Sequence, residues 1–138
     1  MAKTEKQNIG NLGESLACDH LEKQGFRIIA RNKHFSKNEI DIIAENEKYI
    51  IFVEVKTRSA IDVDGGDYGS AGRAVDKAKR KGTVKAAHMY LASYKGQKQP
   101  RIDVIEVYLK DSDSPFKTPT VLKINHIENA FDAKGRIH

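Results

Sequence analysis

Residues 39–58 read E-I-D-I-I-A-E-N-E-K-Y-I-I-F-V-E-V-K-T-R, and no other stretch constrains the fold as much. Two apolar runs flank a short polar break. This predicts β-strands over Glu39 to Ala44 and Lys48 to Thr57, joined by a hairpin turn at Glu45-Asn46-Glu47. Side chains alternate along a strand, so Glu54 and Lys56 share one face while Val53 and Val55 point the other way, into a core. An acid and a lysine inside an otherwise apolar strand cost stability unless something uses their charge. A divalent metal ion held by Asp41 and Glu54, with Lys56 beside it, uses both charges and equips the hairpin to cut a phosphodiester bond. The competing reading is a hairpin whose charged face is solvated, because cross-strand charge pairs contribute little. Against that, both strands are strongly apolar and lie mid-chain, where central strands are expected.

The rest of the chain frames this hairpin. Residues 1–8 read as a frayed lead-in, followed by a helix from Ile9 to Gln24 that Gly25 caps. Phe26 to Phe35 is a strand, and Ser36-Lys37-Asn38 turns it into the hairpin. Residues 59–72, rich in Gly and Asp, read as a long mobile loop. A second helix spans Arg73 to Tyr94, with Gly82 as a weak point costing roughly 1 kcal/mol against Ala. Arg101 to Leu109 alternates as a fourth strand, and Thr120 to Ile127 is a short fifth. The order is α-β-β-β-α-β-β, which predicts one α/β domain over residues 1–138, a mixed sheet flanked by helices.

Hydrolysis of a phosphodiester needs an activated water, a stabilised charge on the phosphoryl group and a neutralised leaving oxygen. One or two Mg²⁺ ions, or Mn²⁺ in their place, serve all three needs. Mg²⁺ prefers oxygen ligands and keeps some waters, so one or two carboxylates plus the substrate phosphate suffice. Asp41 and Glu54 supply the carboxylates, the Val55 carbonyl offers a third oxygen, and Lys56 is placed to orient the water or hold a phosphate oxygen. Glu14 has two readings. On a helical wheel it shares a face with Ala17, Cys18 and Leu21, so its carboxylate is buried or directed at a partner. Alternatively, Asn11-x-x-Glu14 is a capping box, a reading that fails if the helix begins near Ile9.

On the second helix Val75, Ala78, Gly82, Ala86 and Met89 form the expected inward stripe. Lys77, Lys81 and Lys85 make a row that either tracks phosphates or is an ordinary solvated face. Lys79 lies close to the stripe and either snorkels to water or points toward the carboxylates. Arg58 is within reach of a phosphate.

Composition narrows the partners. Formal net charge is +5 at pH 7, which favours an acidic partner, nucleic acid first. The single cysteine excludes an intrachain disulfide and a multi-cysteine zinc site. The histidines show no H-x-H or H-E-x-x-H spacing, the glycine-rich run lacks a G-K-[ST] ending, and the Asp62–Asp67 stretch does not fit a calcium loop. Scattered aromatics argue against a stacking platform. No apolar run is long enough to span a bilayer and the polar N-terminus has no signal-peptide core, so the expected location is cytoplasmic.

Several separated motifs carry a resemblance that covers nearly the whole chain. They are G-N-L-G-E-S-L-A (Gly10 to Ala17), R-N (Arg31, Asn32), E-I-D (Glu39 to Asp41), F-V-E-V-K-T-R (Phe52 to Arg58), A-V (Ala74, Val75), Lys79, D-V (Asp103, Val104) and H-I-E-N-A-F (His126 to Phe131). In this order they resemble the YraN family, UPF0102. The resemblance implies a restriction-endonuclease-like fold of the PD-(D/E)xK type, similar to archaeal Holliday junction resolvases. There a helix-borne Glu, a strand Asp and an E-x-K strand build a Mg²⁺ site, and Glu14, Asp41, Glu54 and Lys56 match those positions. One departure is Asn38, where the family usually has glycine before E-I-D; Asn tolerates left-handed backbone, which preserves the turn.

The resulting expectation is a Mg²⁺-dependent endonuclease on branched or duplex DNA. Asp41 and Glu54 bind metal, Glu14 assists as a metal ligand or water positioner, Lys56 stabilises charge or orients the nucleophile, and Thr57, Arg58 and Lys79 contact substrate, with Lys77 and Lys81 along the helix. Related resolvases act as homodimers. The rival readings are a nucleic-acid-binding protein that keeps the fold without cutting, and an interaction protein whose charged hairpin is only surface.

Overall fold

The computed structural model describes residues 5–59, 77–110 and 119–132. The elements are α1 (Glu5–Lys23), β1 (Arg27–Phe35), β2 (Asn38–Glu45), β3 (Tyr49–Ser59), α2 (Lys77–Leu91), β4 (Gln99–Lys110) and β5 (Thr120–Ile127). The five strands form one sheet in the order β1-β2-β3-β4-β5. Only β3 and β4 run parallel, from Tyr49 beside Gln99 to Ser59 beside Leu109; the other three pairings are antiparallel. A parallel pair needs a long crossover rather than a hairpin, and α2 lies within it. The α-β-β-β-α-β-β order and the flanked mixed sheet are those the sequence predicts.

Alternation on the central strands builds a core on each face. Ile51 and Val53 of β3, Ile105, Val107 and Leu109 of β4, and Ile42 and Ala44 of β2 pack under Ala17, Cys18 and Leu21 of α1. Ile50 and Phe52 face the opposite way with Ile40 and Ile43, under Ala86 and Ala87 of α2. Tyr90 fixes α2 there through edge-to-face contacts with Phe52 and Phe35, at ring-centroid distances of 5.6 and 6.4 Å. Ile40 and Ile42 have the same parity yet lie in opposite cores, so strict alternation breaks between them, at Asp41.

The ends of the elements have local causes. Gly25 takes φ 94° after α1, with Phe26 N–H bonded to Leu21 O at 2.9 Å and Gly25 N–H to Glu22 O at 3.0 Å. That pair of bonds is a Schellman motif, and Phe26 and Leu21 pack together in the core as the motif requires. In the β2–β3 turn the Asn46 side-chain oxygen accepts from Lys48 N–H and Tyr49 N–H at 2.9 and 2.7 Å.

Several expectations need correction. α1 begins at Glu5, so Glu5–Asn8 are helical rather than frayed. The inward face of α2 carries Thr83, Val84, Ala86 and Ala87, whereas Met89 is 44% exposed and Ala78 is exposed too. A hydropathy stripe misses this rotation because Thr83 hides its polarity, its hydroxyl donating to Lys79 O at 3.1 Å. The left-handed residue of the β1–β2 turn is Ser36 (φ 58°), while Asn38 opens β2. The mobile loop expected at residues 59–72 lies outside the described residues from 60 onward, as do Ala74, Val75 and the start predicted for the second helix.

Candidate active site

β2 and β3 part company just where the charged residues lie. Their pairing runs from Glu45 beside Ile50 to Ile42 beside Val53 and no further. Beyond that fork the Val55 N–H has lost its strand partner, and the Asp41 carboxylate accepts it at 2.8 Å. Asp41 therefore does the work of a ladder carbonyl while keeping its second oxygen for something else. Burial above all, and then the nearby charges of Glu54 and Glu14, raise its carboxyl from 3.8 to about 6, against the opposing pull of the Val55 N–H and Lys79.

Glu54 projects from the α2 face of β3 and is buried. Its Oε1 lies 2.5 Å from Lys79 Nζ and 3.6 Å from Lys56 Nζ, though neither approach has hydrogen-bond geometry. Lys79 belongs to the same α2 face as Thr83, Ala86, Ala87 and Tyr90, at i+4, i+7, i+8 and i+11. Its side chain, 54% exposed, reaches in from the start of that face, which resolves the choice between solvent and carboxylate in favour of Glu54.

Glu14 enters from α1. The helix starts at Glu5, so Glu14 lies well inside it and the capping reading fails. Gly13, just before it, packs so closely on β3 that a Cβ there would overlap Thr57 Oγ1. Glu14 is held on its outer side by β1: Arg31 Nη2 is 4.0 Å from its Oε2.

An open cleft of about 430 Å³ lies among these elements, lined by Asn11 and Glu14 of α1, Asn32 of β1, Asp41 of β2, Val55 and Thr57 of β3, and Lys79 of α2. Glu54 and Lys56 do not line it; Glu54 meets Lys79, which does, and its charge acts on Asp41. The structure thus gathers Glu14, Asp41, Glu54, Val55, Thr57, Lys56 and Lys79 into one region. It does not bring Arg58 into the cleft. Arg58 lies further along the face of Glu54 and Lys56, its Nε is buried, and its charge acts on Glu106 of β4. Lys81 is exposed on α2, as a solvated face would be, and the Lys77 side chain lies outside the described residues.

Among the described residues, no three or more His, Cys, Asp or Glu side chains are arranged to hold a metal ion by themselves. The donor set still suits a hard divalent cation with an incomplete protein shell. Asp41 is a desolvated carboxylate under like-charge pressure, and a lysine ammonium lies against Glu54 where a cation is wanted. Asp41 and Glu54 would hold such an ion.

Two further polar residues escaped the sequence reading. Glu106 on β4 is wholly buried beside Lys56 in the parallel register. It accepts from Asn125, while its Oε2 has no hydrogen-bond partner among the described residues; burial pushes its carboxyl above the ordinary range. The signal was present in V-I-E-V, an acid in an apolar strand like the one at Glu54. Asn32, quoted only as part of a motif, lines the cleft.

On the α1 side, away from the cleft residues, Asp103 is buried at 0% exposure. Arg101 donates to it from Nε and Nη2 at 2.8 Å each, His126 Nε2 lies 2.7 Å away and Asn129 N–H donates at 2.9 Å. His20 Nε2 of α1 continues the chain, 3.2 Å from His126 Nδ1. Burial alone would raise the Asp103 carboxyl, but the bonds from His126 and Arg101 outweigh it and hold it below its usual range. These contacts tie α1, β4, β5 and the turn after β5 together.

The chain matches the sequence model of "Uncharacterised protein family UPF0102" over residues 13–107. A UPF0102 protein of Caldanaerobacter subterraneus is 42% identical over 132 residues, covering 95% of this chain and 100% of the relative. One from Flavobacterium psychrophilum is 39% identical over 127 residues, 92% of this chain and 96% of the relative. One from Symbiobacterium thermophilum is 42% identical over 102 residues, 73% of this chain and 82% of the relative. No helix among the described residues is long and apolar enough to cross a membrane. With the family model matched over residues 13–107 and relatives 39–42% identical over most of the chain, the chain belongs to the UPF0102 family.

Proposed function

We propose that this protein is a Mg²⁺-dependent endonuclease that hydrolyses DNA phosphodiester bonds, with branched DNA such as a four-way junction as its preferred substrate. One observation carries the reading. A desolvated Asp41, pushed to about 6 by burial and by Glu54 and Glu14, opens onto a cleft that Lys79 also lines. Such a concentration of negative charge beside lysines is uneconomical in a surface hairpin and suited to a phosphate-bearing substrate with a divalent cation. The cation, when bound, would polarise the phosphoryl oxygen and acidify a water.

The protein's own groups do the rest. Asp41 and Glu54 would hold the cation, with Glu14 joining them from the α1 side as a further ligand or as the group that positions its water. Lys79, which lies against Glu54 and lines the cleft, would contact a phosphate oxygen, and Lys56 would stabilise developing charge or orient the nucleophile. Thr57 contacts the backbone of the substrate.

The test is cleavage of duplex, flap and four-way-junction DNA in Mg²⁺ and in Mn²⁺. Junction DNA is expected to be cut, and Asp41→Asn to reduce cutting at least ~100-fold, in line with the loss of a group that stabilises the transition state. Intact substrates in Mn²⁺, with binding retained, would overturn the enzyme reading. That outcome belongs to a second reading, a nucleic-acid-binding protein that does not cut. The close Lys79–Glu54 pair favours it, because an internal ammonium already neutralises the acid.

A further inference from the structure

Asn32 has an unusual place in the fold. It lies within β1 yet has φ 49°, a left-handed conformation rare in a strand. The ladder pairs on either side, Arg31 with Ile42 and Lys33 with Ile40, put it opposite Asp41, at the point where β2 also departs from regular alternation. With the amide nitrogen turned toward the acids, Asn32 donates to Glu14 Oε1 at 2.8 Å and to Glu39 Oε1 at 3.0 Å. Two carboxylates from different elements thus share one amide donor at the lip of the cleft. An asparagine is suited to this role because it supplies two N–H bonds from one nitrogen and tolerates positive φ.

We propose that Asn32 is a positioning residue of the candidate site: its carboxamide holds the Glu14 carboxylate toward the cleft, and through Glu14 it sets how tightly a divalent cation is kept. This rests on the reading of the cleft as a cation site. Glu14 rises from α1 with a flexible side chain, and Gly13 fixes only its backbone against Thr57. Among the described residues, the β1 amide is the group that hydrogen-bonds the Glu14 carboxylate and so sets its rotamer. Arg31, at 4.0 Å, attracts it but does not define its direction as a hydrogen bond does. Partners that hold a ligand in this way typically matter to metal affinity almost as much as the ligand itself.

The experiment is a double-mutant cycle on Mn²⁺ affinity, measured by calorimetry on the intact protein with Asn32→Gly, Glu14→Gln and the double variant. Glycine adopts φ 49° without a steric penalty, so Asn32→Gly removes the amide while sparing the backbone. Thermal melts of each variant check that the fold is kept. Asn32→Gly is expected to weaken Mn²⁺ binding about tenfold. The double variant is expected to bind no more weakly than Glu14→Gln alone, since a residue acting through Glu14 has nothing to add once Glu14 is disabled. A folded Asn32→Gly with wild-type affinity, or losses that add in the double variant, would overturn the proposal. Failure of the wild type to bind Mn²⁺ would remove the cation reading and this inference together, an outcome distinct from both.

Discussion

Asp41 has two duties that pull in different directions. As acceptor for the Val55 N–H it belongs to the sheet; as a desolvated acid near Glu54 and Glu14 it is electrostatically uncomfortable. The sign of the pH effect follows. The carboxyl titrates at 3.8 when unconstrained and at about 6 in the fold, so between these values the folded chain binds more protons. Stability contributed by this group is therefore greatest at low pH and is lost as pH rises through the window, by on the order of 3 kcal/mol at most. Asn at 41 keeps an oxygen for Val55 and removes the charge. Urea unfolding without divalent ions is expected to find Asp41→Asn more stable than wild type above pH 6, by about 1–3 kcal/mol, and flatter between pH 4 and 6. Added Mn²⁺ should stabilise the wild type and leave the variant unmoved. A variant less stable than wild type at pH 7 would contradict this electrostatic account.

At the scale of elements, two glycines decide how closely the helices approach the sheet. Gly13 lets α1 settle against Thr57, and Gly82 lets α2 settle against Asn38, whose Oδ1 lies 2.6 Å from where a Cβ on residue 82 would be. Sequence reasoning marks Gly82 as a defect and Asn38 as a departure from the family pattern. The structure makes them a pair, the side chain of one filling the space left by the other. Alanine at 82 should gain ~1 kcal/mol from helix propensity when Asn38 is glycine. With Asn38 in place the contact should cancel most of that gain. A urea-unfolding cycle over Gly82→Ala and Asn38→Gly is thus expected to show a coupling of about 1 kcal/mol. Equal effects of Gly82→Ala in both backgrounds would dismiss the pairing.

The strands were readable because their apolar runs are bounded by turns: β5 falls at Thr120–Ile127 as predicted, and Gly25 caps α1. The first turn of α1 was not, because Glu5–Asn8 is polar and shows no periodicity. The α2 face was misjudged for a different reason. Its buried positions include a threonine bonded to its own helix and begin beside a lysine paired with Glu54, and hydropathy cannot see either partner. Asp41, Glu54 and Lys56 stood out as charges in apolar strands. The bond from Val55 to Asp41 and the amide bridge of Asn32 depend on the fork and on a positive φ, which no sequence pattern announces.

For the whole molecule, stability is graded across the sheet. β3 and β4 are central, run parallel over eleven residue pairs and are covered on both faces. β5 is an edge strand with Val121, Leu122 and Ile127 exposed, and β1 is the other edge with most of its residues exposed. Amide hydrogen exchange should therefore be slowest for Ile51–Val53 and Ile105–Val107, approaching the rate set by global unfolding, and faster at the ladder amides of β1 and β5. Equal protection across all five strands would refute this gradient. Asp41 and Glu54 are thus carried by the inner strands, whereas Asn32 is carried by an edge.

The fork between β2 and β3 also bears on how the family's sequences should be interpreted. Because the acid at 41 completes a rung of the sheet, replacing it with a side chain that accepts no hydrogen bond would leave the Val55 amide stranded. Selection for folding alone would then retain an aspartate or asparagine there in a relative that catalyses nothing. An acid at this site is weak testimony to enzymatic competence in a relative, and the company it keeps at 14, 54 and 56 is the better witness.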